Sequence, residues 1–583
     1  MRIKKFSMML LSAISLAALL NGCGSSSKEG STNAALDAVP KVNEQLCIGC
    51  HSSWVEKNNP TENIVAAYTA SKHFAVGKGC QDCHGGGAEH NGVGPIPYPN
   101  PDTGGKCYAC HKPYLNAAHV YTGTLPLPGK TPAAGQQAAQ YISTYNNPGS
   151  QCTICHAPHR SILPQNAQWA ESGHGTLVVA AKDGTGFTHY DFKQADRAGA
   201  AGDTISNSFS NDCVRCHTST GYLNYVNNGG DIHAFGNATD TMREVLQCNV
   251  CHVDNGFKRL RQVGAFTGDK IYYNDNTKNI GLHTTIQFPD KGASNICINC
   301  HAGRQIGDNL KKYPAAFFNS TTLTQGGPHH APTVAMILGA TLTNGRGTGF
   351  EFYSSYKYQN LSYYQHDLIG TSSAEAPTGT SGPCAGCHFN ASGFGTKDHT
   401  LVAAPTTVGV TPPVCAKCHT AAFGGMDLTS YTTQKNNFLA ARKALKMLVY
   451  SSSYGKTGIK AARGAVPTKS KLTWNTAGPK KADARNGLFM YGATFNAILF
   501  YETSSAFVHN NNYSKLLIKD SIDWVYGTTR SAANVKAAIC ELDTTNGRKA
   551  PDYDATTNPE TWTATTDSAA ALGFLGIAPT TCP

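Results

Sequence analysis

The stretch QCTICHAPHR, residues 151–160, places two cysteines three residues apart, a histidine directly after the second, and another histidine about one helical turn later. The same Cys-x-x-Cys-His frame occurs nine times and uses eighteen of the twenty-one cysteines. The nine frames are Cys47-Cys50-His51, Cys80-Cys83-His84, Cys107-Cys110-His111, Cys152-Cys155-His156, Cys213-Cys216-His217, Cys248-Cys251-His252, Cys297-Cys300-His301, Cys384-Cys387-His388 and Cys415-Cys418-His419. Chance would give far fewer than one such frame in a chain of 583 residues, so the spacing serves a chemical purpose.

The chemistry that needs this spacing is the covalent attachment of haem. Two thiols on one helical turn can each form a thioether with a vinyl group, and the imidazole of the next residue becomes the proximal iron ligand. Zinc ribbons also use Cys-x-x-Cys units, but they need a partner pair at a set spacing and no trailing histidine. Thioredoxin-like redox motifs occur singly within a βαβ pattern. The sequence therefore predicts nine covalently bound haem c groups.

The remaining histidines are numerous enough to supply a second ligand to every iron. Thirteen of the twenty-two histidines lie outside the motifs, and two nitrogen ligands would close the coordination sphere and favour one-electron exchange. The distal candidates are His73, His90, His119, His159, His174, His189, His329, His366, His399 and His509. We expect His156 to bind its own haem and His159 to reach a neighbouring iron. Met336 and Met426 are alternative ligands, although methionine in helical surroundings usually belongs to the core.

The N terminus predicts export. A basic start precedes an apolar run from Met8 to Leu20, which is too short for a membrane span. The following Leu-Asn-Gly-Cys sequence ends at Cys23 and is similar to the lipobox of bacterial lipoproteins, which predicts a signal peptide over residues 1–22 and lipidation of Cys23. Residues 23–40 are small and polar and would form a flexible tether. Ordinary signal cleavage nearby is the alternative, and either form of export agrees with c-type haem attachment outside the cytoplasm.

Composition indicates that haem forms much of the core. Apolar residues make up 40% of the chain and glycines number 59, which leaves little material for a protein core. We expect the protein without haem to fold poorly. The formal charge of +11 falls by three with the leader and is countered by two propionates on every haem, so no nucleic-acid partner is predicted.

The motifs are irregularly spaced, and this predicts mostly loops and short helices wrapped around a haem array, with little sheet and a helical C-terminal domain. The predicted regions are 41–180 with motifs 1–4, 181–310 with motifs 5–7, 311–425 with motifs 8 and 9, and 426–583 without a motif. Helical periodicity in the last region appears in three sets: Phe438, Ala441, Leu445 and Leu448; Leu488, Tyr491, Phe495 and Ile498; Tyr513, Leu517 and Trp524. This region would serve docking or subunit contact, or it would cap the haem array. Cys540 and Cys582 would form a disulfide or remain buried thiols.

Several segments resemble recurring pieces of the large multihaem c-type cytochromes on the outer surface of dissimilatory metal-reducing bacteria. They are CHAPHR, DCVRCHTSTGY, SNICINCHAGRQIG, GPHHAPTVAMILG, QHDLIG, GPCAGCHFN and AFVHNNNYSKLLIKDSIDWV. The resemblance implies a lipid-anchored protein at the outer membrane that passes electrons along its haems to other multihaem cytochromes and to extracellular acceptors such as metal oxides. It also implies that the distal ligands include His73, His174, His189, His329, His366 and His399.

Two functions follow from these patterns. In the first, the protein is an electron carrier in which every haem is six-coordinate and no residue performs acid–base catalysis. In the second, it reduces a small oxyanion, such as nitrite or a sulfur oxyanion, at one five-coordinate haem. Familiar multihaem reductases often mark that haem with lysine in place of the motif histidine, and all nine frames here end in histidine. A third possibility is polymerisation into a haem wire, which a lipid anchor would make less natural.

Overall fold

The structure is a computed structural model. It describes residues 34–56, 59–90, 94–102, 105–107, 109–111, 152, 156, 158–159, 164–172, 174, 178–180, 186–188, 215–216, 219–231, 246–253, 260–265, 287–303, 306–311, 322–323, 337, 347–352, 366–370, 382–389, 398–449, 472–473, 484–526, 531–542, 562–578 and 580–582. The leader, the tether up to residue 33 and Cys23 lie outside the described residues.

Short helices dominate the first three quarters of the chain, and longer helices follow. The α-helices are Ala34–Asp37, Glu44–Cys50, Ile64–Thr69, Lys72–Ala75, Cys80–His84, Pro164–Glu171, Ser219–Asn227, Cys248–Cys251, Asn295–His301, Gly307–Leu310, Gly382–His388, Pro413–Ala416, Leu428–Val449, Ala484–Glu502, Ala506–His509, Asn511–Tyr526, Ala532–Glu541 and Thr566–Leu575. Single turns of 3-10 helix cover Gly292–Ser294, His366–Leu368 and Ala421–Phe423.

Sheet structure in the described ranges is limited to three antiparallel pairs of short strands. Val55–Glu56 pairs with Asn59–Asn63, Val178–Ala180 with Gly186–Thr188, and Thr322–Leu323 with Leu472–Thr473. The prediction of a largely helical and irregular chain with little sheet is therefore confirmed. None of the helices in the described part combines the length and the apolar character that a membrane span requires.

The chain forms two compact units. The first unit comprises Met1–Pro128, Ala138–Asn166 and Met242–Arg259, and it carries motifs 1–4 and 6. The second comprises Gly129–Gln137, Ala167–Thr241 and Leu260–Pro583, and it carries motifs 5, 7, 8 and 9 together with the C-terminal helices. Motif 6 thus groups with the N-terminal motifs, away from its neighbours along the sequence.

The largest protein core lies among the C-terminal helices. Phe438 is fully buried in Leu428–Val449, where its ring contacts Phe500, Phe507 and Phe574 at centroid distances of 5.4–5.9 Å. Most of the side chains that the helical periodicity selected are buried in this cluster. Since the apolar positions recur with the helical period, each helix presents one continuous face to its neighbours.

A segment between motifs 7 and 8 packs into this core. The side-chain amide of Asn496 donates to the carbonyl of Phe350 at 2.9 Å and accepts from its backbone N–H at 2.7 Å. Tyr513 donates to the buried carboxylate of Glu351 at 2.9 Å and accepts from the N–H of Gly349 at 3.1 Å. These bonds satisfy backbone groups that would be costly to bury alone, and they fix residues 347–352 against the helices.

Close packing of this segment leads to a stability prediction at Gly492. A Cβ atom at Gly492 would lie 2.1 Å from the ring of Phe350, whereas one at Gly573, also within a helix, would meet its nearest atom at 4.0 Å. We expect Gly492→Ala to destabilise the second unit by about 1–3 kcal/mol through overpacking. Gly573→Ala should be neutral or stabilise it by up to about 1 kcal/mol, because alanine favours helix. Denaturant midpoints of the far-UV signal compare the two variants, and equal midpoints would contradict the packing described.

Cys540 and Cys582 form a disulfide with a Cα–Cα distance of 5.4 Å. The bond joins the end of Ala532–Glu541 to the C-terminal residues after Thr566–Leu575. Of the two alternatives, the disulfide is confirmed and the pair of buried thiols is not, and the bond agrees with export to an oxidising compartment.

Candidate haem-binding sites

The described motifs lie in short helices or helical turns. The N–H of the motif histidine donates to the carbonyl of the first cysteine in motif 1 (2.9 Å), motif 4 (2.8 Å), motif 6 (2.9 Å) and motif 9 (2.8 Å). This places both cysteine side chains on one side of a turn and the imidazole one turn beyond the first thiol. The frame therefore has the local geometry that two thioethers and one axial ligand need.

The motif cysteines are accessible, unlike most cysteines of folded proteins. The sixteen in the described residues are all at least partly exposed, whereas Cys540 in the disulfide is 1% exposed. Cys155 and Cys213 lie outside the described residues. Since free cysteine is normally among the most buried residue types, accessible thiols at this spacing are suited to covalent attachment.

Six motif histidines face a histidine from outside the motifs. In each pair the ring centroids are about 6 Å apart. The pairs are His51 and His90 (6.2 Å), His84 and His159 (6.3 Å), His111 and His73 (5.9 Å), His301 and His174 (6.0 Å), His388 and His509 (6.3 Å), and His419 and His366 (6.1 Å).

This separation fits a metal ion between two imidazoles. A bond from histidine nitrogen to metal is about 2 Å long, so two such nitrogens on opposite sides of one ion are about 4 Å apart. Each ring centroid lies roughly 1 Å behind its nitrogen, which gives about 6 Å between centroids. The residues present thus fit iron with two histidine ligands.

Backbone carbonyls orient many of these rings. The Nδ1 atoms of five histidines lie within hydrogen-bonding distance of a carbonyl oxygen. The bonds are His73 to Pro158 (3.2 Å), His84 to Tyr98 (2.9 Å), His90 to Gly94 (2.6 Å), His366 to Val508 (2.7 Å) and His388 to Leu401 (2.7 Å). A carbonyl can only accept, so Nδ1 carries the proton and Nε2 keeps a lone pair that is free to bind a metal ion. Such bonds are typical of metal-ligating histidines and strengthen the ligand.

A side-chain network in turn holds the carbonyl that faces His84. The hydroxyl of Tyr98 donates to the carboxylate of Asp37 at 2.7 Å, and Lys106 forms an ion pair with the same carboxylate oxygen. The ammonium of Lys106 also lies 4.0 Å from the centre of the Tyr98 ring. Hydrogen bonds from Lys106 and Tyr98 keep the pKa of Asp37 below its usual value, so the network is charged near neutral pH.

Burial keeps several of the paired imidazoles neutral, which is the state that binds metal. It lowers the pKa of His301 to about 4 and that of His509 to about 3, with smaller contributions from neighbouring histidines. Burial likewise lowers the pKa of His84.

The other candidate ligands fall into two groups. His217, His119, His189 and His329 lie outside the described residues. His399 is described. The centroids of its ring and the Phe389 ring are 5.1 Å apart, and its backbone N–H donates to the side-chain oxygen of Gln168 at 3.1 Å. Its role as a distal ligand stays a prediction. Apart from the expectation that His159 reaches a neighbouring iron, the sequence provided no signal for the pairing of histidines or for the carbonyls that orient them.

The chain is similar in sequence to C-type polyheme cytochromes. It is 26% identical to the C-type polyheme cytochrome OmcC of Geobacter sulfurreducens (strain ATCC 51573 / DSM 12127 / PCA), with 96% of this chain and 100% of that protein covered. It is 25% identical to the C-type polyheme cytochrome OmcB of Geobacter sulfurreducens strain DL-1 / KN400, with the same coverage of both chains. No protein-family model and no solved structure matches the chain.

Proposed function

We propose that this protein is an electron carrier: a c-type cytochrome with nine covalently bound haem groups that passes electrons from haem to haem. The observation that carries the proposal is the set of six histidine pairs at centroid distances of 5.9–6.3 Å, each of which joins a motif histidine to a histidine from elsewhere. The names of the relatives, C-type polyheme cytochromes, support the same class of protein.

Each proposed haem carries the number of the motif that would bind it. The pairs support His90 as the distal ligand of haem 1, His159 of haem 2 and His73 of haem 3. In the second unit they support distal ligands for haems 7, 8 and 9, which are His174, His509 and His366 in that order. The eighteen motif cysteines would form the thioethers. His119, His189, His329 and His399 remain candidates for the other three irons.

Iron bound in this way supplies reversible one-electron oxidation and reduction. The histidines of this chain saturate the coordination sphere, and the carbonyls on Nδ1 fix the orientation and basicity of the rings. An iron with two histidine ligands has no open position for a substrate, so this arrangement favours a carrier over the oxyanion reductase.

The place of action follows from the N terminus and the resemblance. The leader and Cys23 would send the protein to the outer membrane as a lipoprotein, on the cell surface or the periplasmic face. Its partners would then be other multihaem cytochromes, with metal oxides among the terminal acceptors. Labelling of Cys23 with a radioactive fatty acid, compared with Cys23→Ser, tests the anchor separately from the haems.

The first test is the EPR spectrum of the purified ferric protein, recorded with a haem count by pyridine haemochrome. We expect nine haems, all low-spin. The signals should form two groups, because the ring planes are near parallel in the His51–His90 and His84–His159 pairs (14° and 16°) and inclined by 60–81° in the other four. Inclined planes raise the largest g value of low-spin iron.

A substantial high-spin signal in the unmodified protein would contradict the carrier proposal, since it would reveal an iron with an open position. Nitrite and sulfur oxyanions would then be tested as substrates. A count well below nine would contradict the assignment of all nine motifs.

A further inference from the structure

The distal ligands of haems 2 and 3 are connected through one peptide group. The Nδ1 of His73, which faces His111 in motif 3, donates to the carbonyl of Pro158 at 3.2 Å. Pro158 directly precedes His159, whose ring faces His84 in motif 2. The ring of one distal histidine is thus hydrogen-bonded to the peptide that carries the other, although 85 residues separate His73 from Pro158.

The distal ligands of haems 8 and 9 are connected in the same way. The Nδ1 of His366, which faces His419 in motif 9, donates to the carbonyl of Val508 at 2.7 Å across 142 residues. Val508 directly precedes His509, whose ring faces His388 in motif 8. The N–H of the same peptide group, which belongs to His509, donates to the backbone carbonyl of Ser505 at 3.0 Å. Both the carbonyl and the N–H of this peptide are therefore hydrogen-bonded.

The motif histidines of haems 2 and 8 also match. The Nδ1 of His84 bonds to a carbonyl 14 residues further along the chain, at Tyr98, and the Nδ1 of His388 bonds to a carbonyl 13 residues further along, at Leu401. The centroid distances agree as well. They are 6.3 Å for the pairs at motifs 2 and 8, and 5.9 and 6.1 Å for the pairs at motifs 3 and 9. One pattern of hydrogen bonds and ring separations therefore occurs twice, once in each compact unit, although the ring planes are inclined by 16° in the His84–His159 pair and by 60° in the His388–His509 pair.

We propose that motifs 2 and 3 and motifs 8 and 9 form two copies of one two-haem module, in which the peptide carbonyl of Pro158 or Val508 is a positioning group that couples the two distal ligands. The inference rests on the proposed function, because it concerns histidines as iron ligands. A change in the ligand of one iron moves the peptide, and the peptide moves the ligand of the next iron. The two irons of a module therefore respond together to a change at either ligand.

A methyl group on Nδ1 of His366 tests this coupling and leaves Nε2 free to ligate. The added carbon would lie about 1.5 Å from Nδ1. A carbon keeps about 3.3 Å from a carbonyl oxygen, so the 2.7 Å contact with Val508 cannot accommodate it. The carbonyl must move, and His509 moves with it. We expect His366→Nδ-methylhistidine to shift the low-spin EPR signals and midpoint potentials of two haems, 9 and 8.

His90 provides a matched control. Its Nδ1 bonds to the carbonyl of Gly94 at 2.6 Å, but that peptide precedes no candidate ligand. His90→Nδ-methylhistidine should therefore shift the signal of haem 1 alone. If the His366 variant does not retain all its haem, His73→Nδ-methylhistidine carries the test, with haems 3 and 2 expected to shift together.

The outcomes separate the module from the proposed function. Two shifted signals in the His366 or His73 variant and one in the control support the coupled module. A single shifted signal in every variant overturns the module and leaves the electron carrier intact, since the unmodified protein still has nine low-spin haems. Absence of low-spin haem from the unmodified protein overturns the proposed function, and the module with it.

Discussion

Replacement of His509 with alanine should convert one of the nine haems from low spin to high spin. His509 faces His388 at 6.3 Å and lies in the short helix Ala506–His509 of the motif-free C-terminal region. Alanine would remove the proposed sixth ligand of haem 8 and open a coordination position opposite the half-buried imidazole of His388. Reduced haem with an open position binds carbon monoxide, so the variant should bind about one equivalent per chain and the unmodified protein almost none.

The control for His509→Ala is His283→Ala, which removes a histidine outside the motifs that is not among the distal candidates. Its EPR spectrum and carbon monoxide titration should match those of the unmodified protein. If the His509 variant stays entirely low-spin and binds no carbon monoxide, His509 is not a ligand of haem 8. Equal high-spin signals in both variants would point to general damage of the haem array.

His509 also illustrates what the sequence could predict about the site. The motif frame predicts the thioether cysteines and the proximal histidines, because attachment chemistry fixes their spacing. His509 could be named as a candidate because the thirteen histidines outside the motifs outnumber the nine predicted irons that need a second ligand. Its partner could not be named, because the approach of His388 depends on the packing of helices far apart in sequence. The carbonyl of Val508 had no sequence signal at all, since every residue has a carbonyl.

The fold, like the site, was predictable only where a local sequence pattern determines it. Helices in the C-terminal region were predictable from residues such as Phe438 and Leu517, because burial on one face imposes the helical period. The grouping of motif 6 was not, since residues 242–259 join the N-terminal unit across a long stretch of chain. Residues that are close in space here are far apart in the sequence and share no local pattern.

The two units also differ in what holds them together, and this leads to the second large effect. Among the described residues 34–111, the buried apolar side chains are Tyr68 and Tyr98. Five large apolar side chains of this region are at least 42% exposed: Leu46, Trp54, Val55, Phe74 and Val76. Burial of such a side chain is worth about 1.5–3 kcal/mol, so covering them with haem would contribute much of the stability of this region. The C-terminal helices bury their apolar side chains against one another.

Removal of the first three haems should therefore unfold residues 34–111 and leave the C-terminal helices folded. The variant replaces the six cysteines of motifs 1–3 with alanine, and hydrogen exchange measured by mass spectrometry reports on each segment. Amides in 34–111 should exchange nearly as fast as in an unfolded chain, while Leu428–Val449 and Asn511–Tyr526 keep their protection. His51→Met is the control, because it retains both thioethers and so keeps the haem in place. Retained protection of 34–111 in the six-cysteine variant would mean that the polypeptide alone supplies the core of this region.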